Sequence, residues 1–156
     1  MANFVKQMYP PGVSIALNDL GAISFYNDAR ILDLVGLGSL DVARAKQRKD
    51  FNTGFIKQLL VSNKVDFIMV YPQWFMGEWA LPEDTARIAD WITSNNFWDE
   101  TVSFYAFTKE NQKTLYDRLK QYQSHLPDSV QVNYFYTDSD PSIDEISPTT
   151  MPLHRL

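Results

Sequence analysis

The chain has 156 residues, the length of one ordinary domain; 45% are hydrophobic and 21% charged, a composition that excludes a disordered or collagen-like chain. Fourteen Lys and Arg against nineteen Asp and Glu leave a formal charge of −5, which argues against a nucleic-acid partner, because phosphate neutralisation needs clustered cations. There is no cysteine, so disulfides, thiolate chemistry and Cys-built zinc sites are excluded, and His125 and His154 are too far apart in the chain for a paired histidine metal site.

The predicted elements alternate. Residues 13–17 read as a strand that follows Pro10-Pro11-Gly12 and stops at the turn-forming pair Asn18-Asp19. Residues 22–26 suit a short helix or a second short strand, and 31–35 form a further strand ending in Gly36-Leu37-Gly38. Ser39 offers an N-cap for a helix over 40–49, with Asp41 well placed in its first turn. The cations of that helix, Arg44, Lys46, Arg48 and Lys49, read as a solvated face. A second helix carries Phe55, Ile56, Leu59 and Leu60 on one side, and 65–71 is a strand buried on both faces.

Residues 71–81 form an aromatic loop. Pro82 suits the first position of a helix that packs Ile88, Trp91 and Ile92, with Glu83 and Asp84 at its positive end. Residues 101–107 read as a strand, Thr108 caps the next helix, and Leu115, Leu119, Tyr122 and Leu126 line its buried stripe. Pro127 ends that helix and 130–136 is the last strand. From 137 to 156 the composition turns to Asp, Ser, Pro and Thr, which predicts an extended or mobile tail after a single α/β domain over 1–136. The expected architecture is a two-layer or three-layer α/β sandwich with a mostly parallel central sheet flanked by helices, with an open-faced α+β arrangement as the alternative.

Candidate functional residues gather at expected strand ends. Asn18, Asp19 and Gly21 follow the first strand, where open α/β sheets bind ligands; as a plain turn, the segment would use Gly21 for a conformation closed to other residues. Asp33 is a carboxylate in an apolar strand, so it must find donors, and the amides of the 18–21 turn or Arg30 are its candidate partners. Asp19 and Asp33 together would make a carboxylate pair for a small enzyme; a structural Asp33 is the simpler reading. The Gly36-Leu37-Gly38 turn lacks the rest of a phosphate-binding fingerprint, no nucleophile triad is visible, and no cofactor or catalytic residue is assigned. Tyr71, Trp74, Phe75 and Trp79 make either a lid over the core or a surface for a sugar, peptide or lipid partner. Ten Phe, eight Tyr and four Trp make the chain 14% aromatic, and the Trp residues crowd into 74–98.

The segment from Val13 through Asn18-Asp19-Leu20-Gly21-Ala22-Ile23 to Tyr26, followed by Ile31-Leu32-Asp33-Leu34-Val35-Gly36-Leu37, resembles a known pattern. It is similar to the soluble C-terminal domain of bacterial polytopic GT-C-type (dolichyl-phosphate-mannose-transferase-like) membrane glycosyltransferases. Val70-Tyr71-Pro72-Gln73-Trp74-Phe75 and the block from Asp99 to Tyr105 resemble further parts of the same proteins, so the likeness spans most of 2–126. Pro72 departs from it, standing where an acidic residue is expected. The resemblance implies a domain on the extracytoplasmic (periplasmic) face of the bacterial inner membrane, attached to a membrane-spanning parent whose catalytic acid lies outside this chain. Residues 2–9, with Phe4, Val5 and Met8 on one side, would then follow the parent's last membrane helix. The expected role is non-catalytic: acceptor binding or assembly, with a glycan or a polyprenyl-phosphate sugar as candidate ligand. The alternatives are a free-standing carbohydrate- or peptide-binding module and the Asp19/Asp33 enzyme.

Overall fold

The computed structural model describes residues 1–94 and 99–137. Trp98 and the expected tail beyond residue 137 lie outside the described residues. In chain order the elements are α1 (Ala2–Met8), β1 (Ser14–Leu17), α2 (Gly21–Tyr26), β2 (Arg30–Asp33), α3 (Leu40–Arg48), α4 (Thr53–Ser62), β3 (Phe67–Val70), β4 (Ala86–Ser94), β5 (Asp99–Ala106), α5 (Lys109–Tyr122) and β6 (Val130–Tyr134). Two single 3₁₀ turns, Pro72–Trp74 and Gly77–Trp79, lie between β3 and β4.

One six-stranded sheet runs in the order β2-β1-β3-β5-β4-β6. Only β1 pairs in parallel, with β2 on one side and β3 on the other. The pairings β3–β5, β5–β4 and β4–β6 are antiparallel. The sheet is therefore mixed and mostly antiparallel, which corrects the expectation of a mostly parallel one.

The cause lies in residues 82–94. Pro82 opens a turn, its carbonyl accepting from both the amide and the hydroxyl of Thr85 (2.9 and 2.6 Å), and a strand follows where a helix was expected. A bulge between Arg87 and Ala89 interrupts the two-residue alternation of β4. Ile88, Ala89 and Trp91 consequently all join the same core cluster. Together with Ile92, which lies outside that cluster, the apolar spacing 88, 91, 92 imitates the i, i+3, i+4 pattern of a helix.

Both faces of the parallel half are covered. β1 and β3 are buried at every position, as strands between two helical layers must be. On one face α1, α2 and α5 contribute Phe4, Val5, Ile23, Leu115, Leu119 and Tyr122 to a cluster that reaches across to β4 and β5. On the other, Val42 and Ala45 of α3 and Ile56 and Leu60 of α4 pack on Ala16, Ile68 and Val70. Among the described residues, β4 and β6 contribute nothing to that second cluster and β5 contributes only the partly buried Tyr105.

Phe4 sits at the centre of the first cluster, with edge contacts to Tyr9, Phe67, Trp91, Phe104 and Tyr122 at centroid distances of 5.4–6.2 Å. Much of the aromatic excess is thus a nest around α1. Trp91, one of the four tryptophans, belongs to that nest and not to the surface.

The helix caps follow the sequence. Ser39, Asn52 and Thr108 each accept a backbone N–H three residues on, opening α3, α4 and α5.

Candidate functional site

Because β1, β2 and β3 are parallel, their carboxyl ends share one edge of the sheet. Those ends, and the segments that leave them, hold all eight of the residues singled out in the sequence. β1 lies between β2 and β3, so the flanking loops leave the sheet roughly 10 Å apart.

Asp33 ends β2 and is 3% exposed. Its Oδ1 accepts the amides of Val35 (2.8 Å) and Gly36 (3.0 Å), and its Oδ2 those of Gly38 (2.6 Å) and Ser39 (3.2 Å). Its donors are therefore the amides of its own following loop, not those of the 18–21 turn; the Arg30 side chain instead donates to the Gly12 carbonyl. Burial would raise the Asp33 pKa, but the four amides outweigh it and hold the carboxyl below its ordinary value. Four accepted bonds fill the lone-pair sites of a carboxylate, so this group organises a loop and has no free acceptor for a proton or a metal. Gly36, at φ +93°, makes that wrap feasible: a Cβ there would lie 2.8 Å from the Ala43 nitrogen.

Lys46 on α3 ties this loop to the next. Its ammonium donates to the Val35 carbonyl (3.0 Å) and lies 4.7 and 5.2 Å from the ring centres of Phe51 and Trp79. Burial lowers its pKa, and the nearby Asp33 charge opposes that shift.

At the end of β1 the Asn18 side chain is buried, and its Oδ1 accepts the Tyr71 amide across to β3 (3.1 Å). Its Nδ2 has no hydrogen-bond partner among the described residues. The Tyr71 hydroxyl donates to Asp19 Oδ2 at 3.4 Å. Burial raises the Tyr71 pKa, with the Asp19 and Glu100 charges adding to it. Asn18, Asp19 and Tyr71 therefore form one group, whereas no hydrogen bond joins Asp19 to Asp33. Gly21 does not have the special conformation expected of it. It begins α2, and a Cβ there would stand 3.2 Å from Asp19 Oδ1. The glycine leaves room for that carboxylate.

The aromatic loop divides. Phe75 packs against the second core cluster. Trp79 makes an edge contact with Phe51 at 5.9 Å and keeps 40% of its surface in solvent. The Thr53 hydroxyl pins the chain after it through the Ala80 carbonyl (2.8 Å). Trp74 is 53% exposed and Met76 68%, while Leu37 on the loop after β2 and Leu40 at the start of α3 are exposed at 78% and 61%. Sequence reasoning missed Leu37, Leu40 and Met76; the signal was an apolar residue inside a Gly-rich turn and another at the first helical position.

It also missed a polar network on the antiparallel half. Asp90, 4% exposed, accepts from Arg87 Nε (2.9 Å), Arg87 Nη2 (2.6 Å) and the Ser103 hydroxyl (2.8 Å).

A family model described as a domain of unknown function, DUF8728, matches residues 1–134. No curated protein and no solved structure matches the chain.

Proposed function

We propose that this chain, which belongs to the DUF8728 family, is a non-catalytic extracytoplasmic domain of a GT-C-type membrane glycosyltransferase, docked on the membrane-spanning part of its parent. The observation that carries this reading is the sheet edge itself. Leu37 and Leu40, on the loop after β2 and at the start of α3, and Trp74 and Met76 on the loop after β3, expose large apolar surfaces at the same end of the parallel strands. Adjacent exposed apolar groups on a folded domain mark a partner surface, and a Trp among aliphatic side chains suits the boundary between protein, lipid headgroups and water. The likeness of residues 13–37 and 70–75 to the C-terminal domains of such transferases supplies the parent. The engagement of Asp33 by four amides favours a structural carboxylate over the Asp19/Asp33 enzyme.

Three measurements test the reading. An upstream reading frame continuous with this one, encoding several apolar spans that end near Ala2, is expected; an in-frame stop codon directly upstream would overturn it. In the full-length parent, a photo-crosslinker at Met76 should capture the membrane-spanning part, while one at the exposed Asp117 of α5 should not. Glycosyl transfer from a polyprenyl-phosphate sugar by this domain alone would refute the non-catalytic role.

A further inference from the structure

At the opposite end of the sheet lies a polar cavity of about 420 Å³, within the size range of small-molecule sites. Residues 9–13, which lead into β1, form one wall. Asp66, just before β3, and one face of α5 form the rest. Along α5, Glu110, Asn111, Thr114 and Arg118 follow one another at i, i+1, i+4 and i+8, so one helical face presents an acid, an amide, a hydroxyl and a guanidinium over roughly 12 Å.

The groups are held in place. The Arg118 guanidinium lies 3.9 Å from the centre of the Tyr9 ring, which in turn stacks on Phe67 at 4.7 Å. Asp66 Oδ2 accepts the Ser14 amide at 2.8 Å. Burial raises the Tyr9 pKa far above its ordinary value; the Arg118 charge and hydrogen bond oppose that rise, and the Asp66 charge adds to it. Asp66 and Arg118 both line the cavity, and among the described residues they form no ion pair with each other.

Two unlike charges that line one cavity without pairing leave a place for a group that donates and accepts at once. A hydroxyl does both: it donates to a carboxylate and accepts from a guanidinium. A free anion entering the cavity would meet Asp66 and Glu110, and a free cation would meet Arg118. A neutral polyol meets neither penalty, and the Asn111 amide and Thr114 hydroxyl extend the same alternation of donors and acceptors.

We propose that this cavity binds a neutral polyhydroxylated ring, a saccharide, through Arg118, Asp66, Asn111 and Thr114. The site is on the opposite end of the sheet from the docking edge and stands independently of that reading. Proton–nitrogen correlation spectra of the labelled domain, titrated into the millimolar range with methyl glucoside, methyl mannoside and methyl galactoside, test it. At least one should shift the amides of residues 9–13 and 110–118. Asn111→Ala, a half-buried helix-surface position whose replacement leaves the fold intact, should weaken that response at least fivefold, and Trp74→Ala should leave it unchanged. Inorganic phosphate and glycine serve as the charged and zwitterionic controls. A stronger response to either control, shifts confined to the 71–80 loop, or silence with all three hexosides would overturn the assignment.

Discussion

Replacing Asp33 by Asn exchanges one acceptor oxygen for an NH2 group, and whichever way the amide turns, that group faces two backbone N–H donors with nothing to donate to. Leaving buried donors unmet costs about 2–4 kcal/mol in total. The expected loss in urea unfolding at neutral pH is of that size. Its pH dependence has a definite sign. The folded Asp33 pKa lies below the ordinary 3.8, so folding favours the ionised form. The contribution is fully present above the unfolded pKa and is lost as the pH falls through the folded one. The gap between wild type and Asp33→Asn should therefore narrow below pH 3.8 and stay level above about pH 5. A gap that ran level through the acid range would show that Asp33 is not held as the anion. That a charge in an apolar strand must be paired was legible in the sequence. Its partners were not, because a carboxylate that wraps its own loop depends on the backbone of Gly36, whose φ of +93° no residue pattern states.

At the scale of elements, the bulge in β4 sets the side-chain directions of a whole strand. Ahead of it, the Arg87 guanidinium reaches the Asp90 carboxylate, which also holds Ser103 of β5. Asp90→Ala removes the acceptor for three donors and should cost about 2–4 kcal/mol. Ser103→Ala, which removes one hydroxyl, should cost about 1 kcal/mol. In the double variant the two effects should fall short of their sum, since both residues serve one network; additive losses in denaturant unfolding would mean that the contacts are energetically separate. Other elements were plain in advance. The caps Ser39 and Thr108 and the stripe Leu115, Leu119, Tyr122 fix α3 and α5 locally, and a run as apolar as Phe67-Ile68-Met69-Val70 has few places to go but a buried strand. β4 was misread because a bulge turns period two into a counterfeit of period 3.6, and pairing direction is decided by distant partners rather than by the strand's own residues. α1 shows the same limit. Phe4, Val5 and Met8 marked an apolar side, yet nothing local said that Phe4 would become the hub of five aromatic contacts. Phe4→Ala should lower stability by about 3–5 kcal/mol, as for other fully buried aromatics, and a smaller loss in thermal or urea unfolding would argue that the nest repacks.

Across the whole molecule, the sheet joins two kinds of construction. The parallel strands are sealed between helical layers and send their loops to one edge. The antiparallel strands pack on the cluster under α1 and α5 and carry a buried charge network on β4 and β5. The edge residues were only partly legible: the Trp74 loop was conspicuous in the sequence, whereas Leu37 and Leu40 were masked by their place beside a glycine turn and a helix start. The division separates stability from association. Leu37, Leu40 and Met76 are largely in solvent, so Leu37→Ser, Leu40→Ser and Met76→Ser should together move stability only slightly, within about 0.5 kcal/mol for each site. The same triple change removes most of the edge's apolar surface and should abolish capture of the parent's membrane-spanning part by a photo-crosslinker moved to Gln73, exposed on the same loop, while leaving the thermal transition nearly where it was. Phe4→Ala should do the reverse at temperatures where it is still folded, lowering the transition while crosslinking persists. If the triple variant unfolds early, these side chains belong to the core energetics. If it stays folded and still crosslinks at full yield, the docking edge lies elsewhere.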